Sequence, residues 1–246
     1  MEKEKSGLVK MAREYLFPNR CPVCLDIAVP RGRLICDACR EKLPLIEGPT
    51  CKKCGKPLEQ EEKEYCGDCV LHIRSFEQGI ALMPCSDEVV QRLMMRVKYR
   101  NARQLLDYPC RIMGERYRDL VKRWGVEALI PVPLHGSKRR MRGFNQAEEI
   151  AQRLGEMWNL PVDTSLLYRK KKTVPQKELN PEKRFRNLKD AFAVREQEGE
   201  SGYRTLMLVD DIYTTGSTVE SCTRALLAGG AKRVFSAVLA CGYDPY

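Results

Sequence analysis

Apolar residues recur along the chain with two different periods. In five segments they stand three or four positions apart, which predicts amphipathic helices with one buried face. These segments are residues 5–17, 87–99, 102–124, 145–158 and 217–228. Pro18 ends the first segment, because proline cannot continue a helix. The first predicted helix therefore stands apart from the other four.

Short apolar runs between the later helices predict strands. They occupy residues 78–84, 128–133, 165–168, 191–194, 204–209 and 233–239. The run from Leu206 to Val209 contains no polar residue, which is typical of a strand buried on both faces of a parallel sheet. Strands that alternate with helices predict an α/β fold with a doubly wound, mainly parallel sheet.

Eight of the twelve cysteines form four CxxC pairs. The pairs are Cys21 and Cys24, Cys36 and Cys39, Cys51 and Cys54, and Cys66 and Cys69. The last two pairs repeat the spacing of the first two thirty positions later, which indicates an internal repeat. A two-residue spacer lets two thiolates converge on one ion. Four pairs therefore predict two closed tetrahedral sites, for which zinc in a structural role is the favoured metal.

The four pairs can divide between two ions in two ways. Sequential pairing joins the first pair to the second and the third to the fourth, whereas interleaved pairing would cross the strands of both sites; we favour sequential pairing. Gly55, directly after Cys54, suits such a site because a residue without Cβ lets backbone N–H groups approach the thiolate. A disulfide framework is the alternative to metal binding, and a reducing compartment disfavours it.

This pattern predicts three parts: an amphipathic helix in residues 1–20, a double zinc ribbon in residues 21–75 and an α/β domain in residues 76–246. The cysteines outside the pairs are expected in or near the core. They are Cys85, Cys110, Cys222 and Cys241. No apolar run approaches the roughly 18 residues that span a bilayer, and the start lacks a secretory-type apolar run, so we expect a cytoplasmic protein without membrane insertion.

The strongest chemical signal is LMLVDDIYTTGST, residues 206–218. Polar residues begin at Asp210 and Asp211, where the predicted strand ends, and open α/β sheets bind ligands at that edge. The next helix start offers hydroxyls and backbone amides that can cradle a phosphate. These residues are Thr214, Thr215, Gly216, Ser217 and Thr218.

The two carboxylates would repel that phosphate, but they suit the hydroxyl groups of a ribose, with Mg²⁺ close enough to neutralise charge. Acids followed by a phosphate loop therefore predict a site for a ribose 5-phosphate. A plain helix cap after a strand is the alternative, but it accounts for only two or three of the thirteen positions.

The net charge of +10 is unevenly placed. Residues 92–142 contain fourteen Lys or Arg against four acids, and residues 168–189 contain nine against two. Two such segments favour a polyanionic ligand, either a pyrophosphate or a nucleic acid. A solvated helix face is the alternative for the helical part of the first segment.

The motif resembles the phosphoribosyl pyrophosphate signature of type I phosphoribosyltransferases, in which four apolar residues and two acids precede TTGST. The wider order resembles the ComF family of competence-associated proteins: four CxxC pairs, PVPLHGSKRRMRGFNQA at residues 131–147, TVPQKELNPEKRFRNLKDAF at residues 173–192, and then the signature. The resemblance implies a phosphoribosyltransferase-like domain, a zinc ribbon and a part in DNA uptake during natural transformation. It also implies single-stranded DNA and DNA-uptake or helicase proteins as partners.

The resemblance further implies roles for residues outside the signature. In type I transferases the loop after an early strand holds the pyrophosphate. By position, its candidates here are Leu134, His135, Lys138 and Arg139. Further residues are expected to position the substrate, some of them in a flexible loop that closes over it. They are Arg142, Asn145, Gln146, Gln176, Arg184 and Asn187.

Two functions remain open from the sequence. One is a phosphoribosyltransferase that displaces pyrophosphate from the anomeric carbon with a nitrogen nucleophile, a reaction that depends on positioning and charge stabilisation. The other is a non-catalytic protein that senses a ribose phosphate or a strand terminus while its basic segments bind single-stranded DNA. Aromatic residues make up 7% of the chain, so such DNA contacts would be mainly electrostatic.

Overall fold

The computed structural model describes residues 18–30, 32–170, 191–195 and 202–242. Its strands are β1 (Gly79–Pro84), β2 (Ala128–Pro131), β3 (Leu167–Arg169), β4 (Phe192–Val194), β5 (Thr205–Tyr213) and β6 (Arg233–Cys241). Its α-helices are α1 (Gly67–Leu71), α2 (Glu88–Arg100), α3 (Asp107–Trp124), α4 (Gly136–Arg142), α5 (Gln146–Trp158) and α6 (Ser217–Ala228). The predicted helix at residues 5–17 and the candidates Gln176, Arg184 and Asn187 lie outside the described residues.

Four parallel strands form the central sheet, in the order β1-β6-β5-β2. β3 and β4 pair with each other as a separate antiparallel ribbon. Both faces of the sheet are covered, since α2, α3 and α5 pack on one face and α6 packs on the other. The predicted fold class, an α/β fold with a mainly parallel sheet, is confirmed.

Alternate residues of the central strands supply the two layers of the core, because successive side chains of a strand point to opposite faces. Met207 and Val209 of β5 face the layer that contains α2, α3 and α5. Leu206 and Leu208 face the layer that contains α6. The apolar run that predicted a doubly buried strand therefore serves two separate layers.

Side-chain caps fix several predicted helix boundaries. Asp87 accepts a hydrogen bond from the Val89 N–H at 2.7 Å at the start of α2. Asn145 caps α5 in the same way, accepting from the Ala147 N–H at 3.2 Å. The helix predicted at residues 102–124 begins instead with a 3₁₀ turn, Arg103–Leu106, and α3 follows it.

The two groups of cysteines lie on opposite sides of the edge strand β1. Cys21 and Cys39 join the core layer of α2 and α3, whereas Cys54 and Cys66 join the layer of α6. The chain between and beside them also covers the outer edge of β1: the Ile46 N–H donates to the Leu82 carbonyl at 2.8 Å, and the Gly79 N–H donates to the Lys53 carbonyl at 2.7 Å. An edge strand that would otherwise offer unpaired backbone groups is thereby covered.

The four cysteines outside the pairs have the predicted core character. Cys110, Cys222 and Cys241 are buried, and Cys85 is partly buried. Burial raises the pKa of Cys110 to about 12, so its thiol stays protonated and unreactive at neutral pH. No helix in the described part of the chain has both the length and the apolarity to cross a membrane.

Candidate functional site

The carboxyl end of β5 is open on one side. β2 pairs with β5 only as far as Val209, whereas β6 follows β5 to Tyr213. The strand therefore ends four residues later than predicted, and Asp210 and Asp211 lie within it instead of after it.

The pairing between β2 and β5 stops because the next backbone donor and acceptor of the ladder form hydrogen bonds with side chains instead. The Val132 carbonyl accepts a hydrogen bond from Asn145 Nδ2 at 3.0 Å. The Asp211 N–H donates to Asp210 Oδ1 at 2.8 Å. Asn145, predicted to position a substrate, thus has both polar atoms engaged in the fold, and it keeps this side of β5 open for a ligand.

The two acids point to opposite faces of the sheet, as neighbours in a strand do. Asp210 faces α6 and lines a small pocket with the residues that follow it. Asp211 faces α2, where its Oδ2 lies 2.6 Å from Lys98 Nζ. Burial, together with the charge of Asp211, raises the pKa of the Asp210 carboxyl well above its usual range.

The pocket beside Asp210 has a volume of about 40 Å³ and is lined by residues 212–219. All five residues of the predicted phosphate loop, Thr214 to Thr218, belong to it. Gly216 has a φ of 74°, a conformation that glycine adopts without strain, and α6 begins at Ser217. Hydroxyls, backbone amides and the positive end of a twelve-residue helix thus converge on one small space.

The predicted pyrophosphate loop is largely a short helix. The backbone enters α4 just after Leu134, and His135 Nδ1 accepts from the Ser137 N–H at 3.2 Å. Gly143, with a φ of 78°, ends the helix after seven residues. A side-chain cap and a glycine terminator explain this local helix, which has too few apolar residues to show a clear period.

The two predicted pyrophosphate partners differ in their surroundings. Arg139 forms two hydrogen bonds with the Glu148 carboxylate, at 3.0 and 3.1 Å, so its charge is already compensated. Lys138 instead lies among other cations: partial burial and the charges of Arg142 and Arg169 lower its pKa.

Four basic side chains from three elements are close enough for their charges to interact, and one of them, Lys98, contacts Asp211. We call these four residues the cation group. They are Lys98, Lys138, Arg142 and Arg169. The guanidinium of Arg142 lies 5.4 Å from the centre of the half-exposed Tyr99 ring. Arg142 also donates to Gln146 Oε1 at 2.9 Å, while Arg142 Nε and Gln146 Nε2 are buried with no hydrogen-bond partner among the described residues. Their unused donors point to a place for an anionic or carbonyl-bearing ligand.

Three residues near the site had no assigned role there from the sequence. Lys98 stood in the basic segment that predicted a polyanion contact, without a link to Asp211. Arg169 opened a charged stretch. Arg74, whose Nη2 donates to the Thr215 carbonyl at 2.8 Å, had no signal at all, because 141 residues separate the two partners in the sequence.

The cysteines form two clusters, each with four sulfur atoms within 4.8 Å of one another. Cys21, Cys24, Cys36 and Cys39 make the first cluster, and Cys51, Cys54, Cys66 and Cys69 make the second. Sequential pairing is therefore confirmed. All of these cysteines are free thiols, without disulfides.

The spacing of the sulfur atoms fits a tetrahedral zinc site. Zinc–sulfur bonds of about 2.3 Å place two sulfur ligands roughly 3.8 Å apart. Cys24 and Cys36 are separated by 3.9 Å, and Cys54 and Cys66 by 3.6 Å. Gly55 has a φ of 77° after the second cysteine of its cluster, and Leu25 takes a similar φ of 67° at the matching position of the first.

Two family descriptions match separate parts of the chain. Residues 12–70 match the double zinc ribbon domain, and residues 140–245 match the phosphoribosyl transferase domain. The first range includes both cysteine clusters, and the second includes β5, the phosphate loop and two of the four residues of the cation group, Arg142 and Arg169.

The chain is also similar to whole proteins. It is 30% identical over 227 residues to competence protein F of Haemophilus influenzae, covering 89% of this chain and 95% of that protein. The chain belongs to the ComF family. This ComF-family protein is also 26% identical to the DNA utilization protein YhgH of Escherichia coli, over 88% of this chain and 94% of that one. Competence protein ComFC of Bacillus subtilis is 25% identical over 80% of this chain and 79% of its own.

Proposed function

We propose that this ComF-family protein binds phosphoribosyl pyrophosphate with Mg²⁺ at the open end of β5 and acts in DNA uptake. The observation that carries the proposal is the placement of two different anion-binding groups around two acids. The phosphate loop lies beside Asp210, and Lys98 of the cation group pairs with Asp211. A ribose that carries phosphate at one end and pyrophosphate at the other matches this order.

The phosphate loop suits the 5-phosphate. Thr215 and Ser217 place their hydroxyl oxygens 3.0 Å apart at the start of α6, next to the amides of the turn. Such a helix start binds a phosphate without a basic side chain.

The cation group suits the pyrophosphate. Lys98 balances the Asp211 carboxylate, while burial and then the positive charges of Arg142 and Arg169 lower the pKa of Lys138. A pyrophosphate would relieve this repulsion, because its oxygens accept charge-assisted hydrogen bonds from several cations at once. Mg²⁺ held by Asp210 or Asp211 would add charge neutralisation between the ligand and the two carboxylates.

The chemistry that these residues support is the loss of pyrophosphate from the anomeric carbon. Positive charge would develop on the ribose ring, which Asp210 and Asp211 would hold. Negative charge would develop on the leaving group, which Lys98, Lys138 and Arg142 would contact. The bond to the leaving oxygen breaks while a nitrogen nucleophile forms the new bond. Positioning and electrostatics suffice for this reaction, so no general base is needed to start it.

The role in DNA uptake rests on the names of the relatives and on the basic surface. Arg92, Arg96 and Arg100 are exposed along α2, the helix whose last turn carries Lys98 to the site. A single strand that followed α2 would bring its terminus to the cation group. This observation favours a second candidate function, in which the site recognises a ribose phosphate or a strand end without turnover.

Calorimetry with phosphoribosyl pyrophosphate and Mg²⁺ tests the binding site, with a double variant, Asp210→Asn plus Asp211→Asn, as the comparison. We expect the wild type to bind and the variant to lose binding, and unchanged affinity in the variant would contradict the site. Pyrophosphate release measured across a panel of bases, nucleosides and short DNA strands then separates the two functions. Release with one class of acceptor identifies a transferase, and binding without release identifies a sensor.

A further inference from the structure

The segment between the second cysteine cluster and β1 reaches into the phosphate loop. Arg74 is 7% exposed, and its Nη2 donates to the Thr215 carbonyl at 2.8 Å. The next residue, Ser75, donates from its N–H and its hydroxyl to the two carboxylate oxygens of Glu220, at 2.8 and 2.7 Å. Glu220 is fully buried in the first turn of α6. Residues 74 and 75 therefore hold both the loop and the helix that follows it.

The contact of Arg74 has a directional effect on the loop. The Thr215 carbonyl and the Gly216 N–H belong to one planar, trans peptide, so they point in opposite directions. A guanidinium that fixes the carbonyl therefore also fixes the direction of the Gly216 N–H. This amide belongs to the peptide run that lines the pocket.

The Tyr213 side chain packs between the phosphate loop and the second cluster. The ring packs directly under Gly216, since a Cβ at Gly216 would lie 2.2 Å from Tyr213 Oη. On its other side Tyr213 contacts Phe76 edge to face, with ring centres 6.4 Å apart. Lys56 Nζ lies 5.9 Å from the centre of the Tyr213 ring.

Lys56 belongs to the second cluster. It follows Cys54 by two residues, is 1% exposed, and forms an ion pair with Asp68, which stands between Cys66 and Cys69. The cluster is also fixed to the sheet at backbone distance, because a Cβ at Gly55 would lie 2.8 Å from the Gly79 carbonyl. A movement of the second cluster would therefore displace the Tyr213 ring, and with it the phosphate loop that packs on the ring.

The first cluster has no such position. Cys21 and Cys39 pack with α2 and α3, on the face of the sheet opposite to Tyr213 and α6. The two clusters share a ligand spacing, but the fold places only the second one in the layer that contains the phosphate loop.

We propose that the second cysteine cluster, acting through Arg74 and Tyr213, positions the phosphate loop, so that zinc in this cluster sets the affinity for a phosphate ligand. The identity of that ligand rests on the function proposed above, whereas the coupling does not. A loop held in its binding geometry loses less conformational freedom when the ligand arrives, so the contacts raise affinity without touching the ligand. Arg74 is in this sense a positioning residue.

Arg74→Ala tests the proposal, with Arg20→Ala as its matched control. Arg20 Nη1 also donates to a backbone carbonyl, that of Leu25 at 3.2 Å, but it does so beside the first cluster. We expect Arg74→Ala to keep both zinc ions and to speed amide hydrogen exchange in residues 212–219. The binding of phosphoribosyl pyrophosphate with Mg²⁺ should weaken by roughly tenfold to a hundredfold, the range for a lost charged hydrogen bond. Arg74→Lys should restore part of the affinity, and Arg20→Ala should leave the zinc content, the exchange rates and the affinity unchanged.

The zinc arm compares the more exposed ligands of the two clusters, Cys69→Ser and Cys24→Ser. Each variant should lose one zinc ion, but only Cys69→Ser should speed exchange in residues 212–219. Equal exchange in both variants, or wild-type exchange and affinity in Arg74→Ala, would overturn the coupling. If the wild type binds no phosphoribosyl pyrophosphate, the proposed function fails, and the exchange comparison still decides whether the second cluster positions the loop.

Discussion

Lys98 Nζ lies 2.6 Å from Asp211 Oδ2, so the last turn of α2 contacts the open end of β5. Both side chains are largely buried, with 18% and 14% of their surface exposed. A basic residue that the sequence placed on a helix face is therefore part of the candidate site. It neutralises one of two adjacent acids and stands at the edge of the cation group.

Replacing Lys98 with Met should weaken phosphoribosyl pyrophosphate binding by about tenfold to a hundredfold, because the ligand loses a cation and Asp211 loses its counter-charge. Calorimetry in the presence of Mg²⁺ measures the change. Arg100→Met is the control, since this residue lies in the same helix turn but is exposed. Equal losses in both variants would mean that general surface charge, and not the contact with Asp211, supports binding.

Replacing Gly216 with Ala should disrupt the phosphate loop. The alanine would have to adopt the positive φ of 74°, and its Cβ would lie 2.2 Å from Tyr213 Oη. Gly125→Ala separates the two effects, because Gly125 has a φ of 66° with no atom within 4 Å of the added Cβ. We expect Gly125→Ala to lose about 1 kcal/mol of unfolding free energy from backbone strain. Gly216→Ala should lose more, because of the added clash, and should also lose ligand binding. Thermal unfolding and calorimetry provide the two measurements.

Replacing Asp210 with Asn should stabilise the ligand-free protein, and the gain should grow with pH. Burial and Asp211 raise the pKa of the Asp210 carboxyl above its ordinary 3.8. Between the ordinary and the raised value the folded chain binds more protons than the unfolded chain, so stability falls as the pH rises through this window. Thermal unfolding at about pH 4 and about pH 8 measures the effect. The melting temperature of the variant should exceed that of the wild type slightly at the lower pH and by more at the higher pH, with each kcal/mol of added stability raising it by about 2–4 °C.

Asp163→Asn is the control of opposite sign. Although burial alone would raise its pKa, hydrogen bonds from Ser165 and Leu166 lower the pKa of the Asp163 carboxyl. Its stabilising effect is present above its unfolded-state pKa and is lost as the pH falls through the lowered value. This variant should therefore lose stability at neutral pH. If the stability difference between Asp210→Asn and the wild type did not change with pH, the raised pKa of the Asp210 carboxyl would be contradicted.

Elemental analysis should find two zinc ions per chain. Each cluster supplies four thiols within 4.8 Å, enough to close a tetrahedral site. Chelation should lower the melting temperature, since structural zinc contributes its binding free energy to folding. A single ion per chain would show that one cluster does not hold zinc in solution.

Charge reversal at Arg92 and Arg96 should weaken the binding of single-stranded DNA in a gel shift at low salt. Both residues are exposed on α2, and Lys98 is left intact because it pairs with Asp211. Wild-type affinity should fall steeply as salt increases, as expected for contacts with phosphates. Reversal of the exposed Arg116 and Arg118 on α3 changes the net charge equally. If that control weakens binding as much, α2 is not the DNA contact.

Local patterns were sufficient where neighbours in the sequence cooperate. The period of apolar residues predicted α2 and α5 closely. Both helices begin directly after a capping residue, Asp87 or Asn145, so neighbours in the sequence fix where they start. The helix α4 was missed because it is short and almost without apolar residues, so no period reveals it. The length of β5 was missed because Asp210 and Asp211 interrupt the apolar run, while pairing with β6 continues the strand to Tyr213.

The sequence by itself determined the α/β class, the two four-cysteine sites and the acid-then-phosphate-loop motif, since each depends on residues that are close along the chain. Only the tertiary structure decided that Asp210 and Asp211 face different layers, that Lys98 pairs with Asp211, and that Arg74 holds Thr215. The physical reason is the distance along the chain: charge and hydrogen-bond partners more than 100 residues apart leave no periodic signal. Lys98 can reach Asp211 because β1, which leads into α2, ends level with β5 across the parallel sheet, where Pro84 and Tyr213 both lie opposite Cys241.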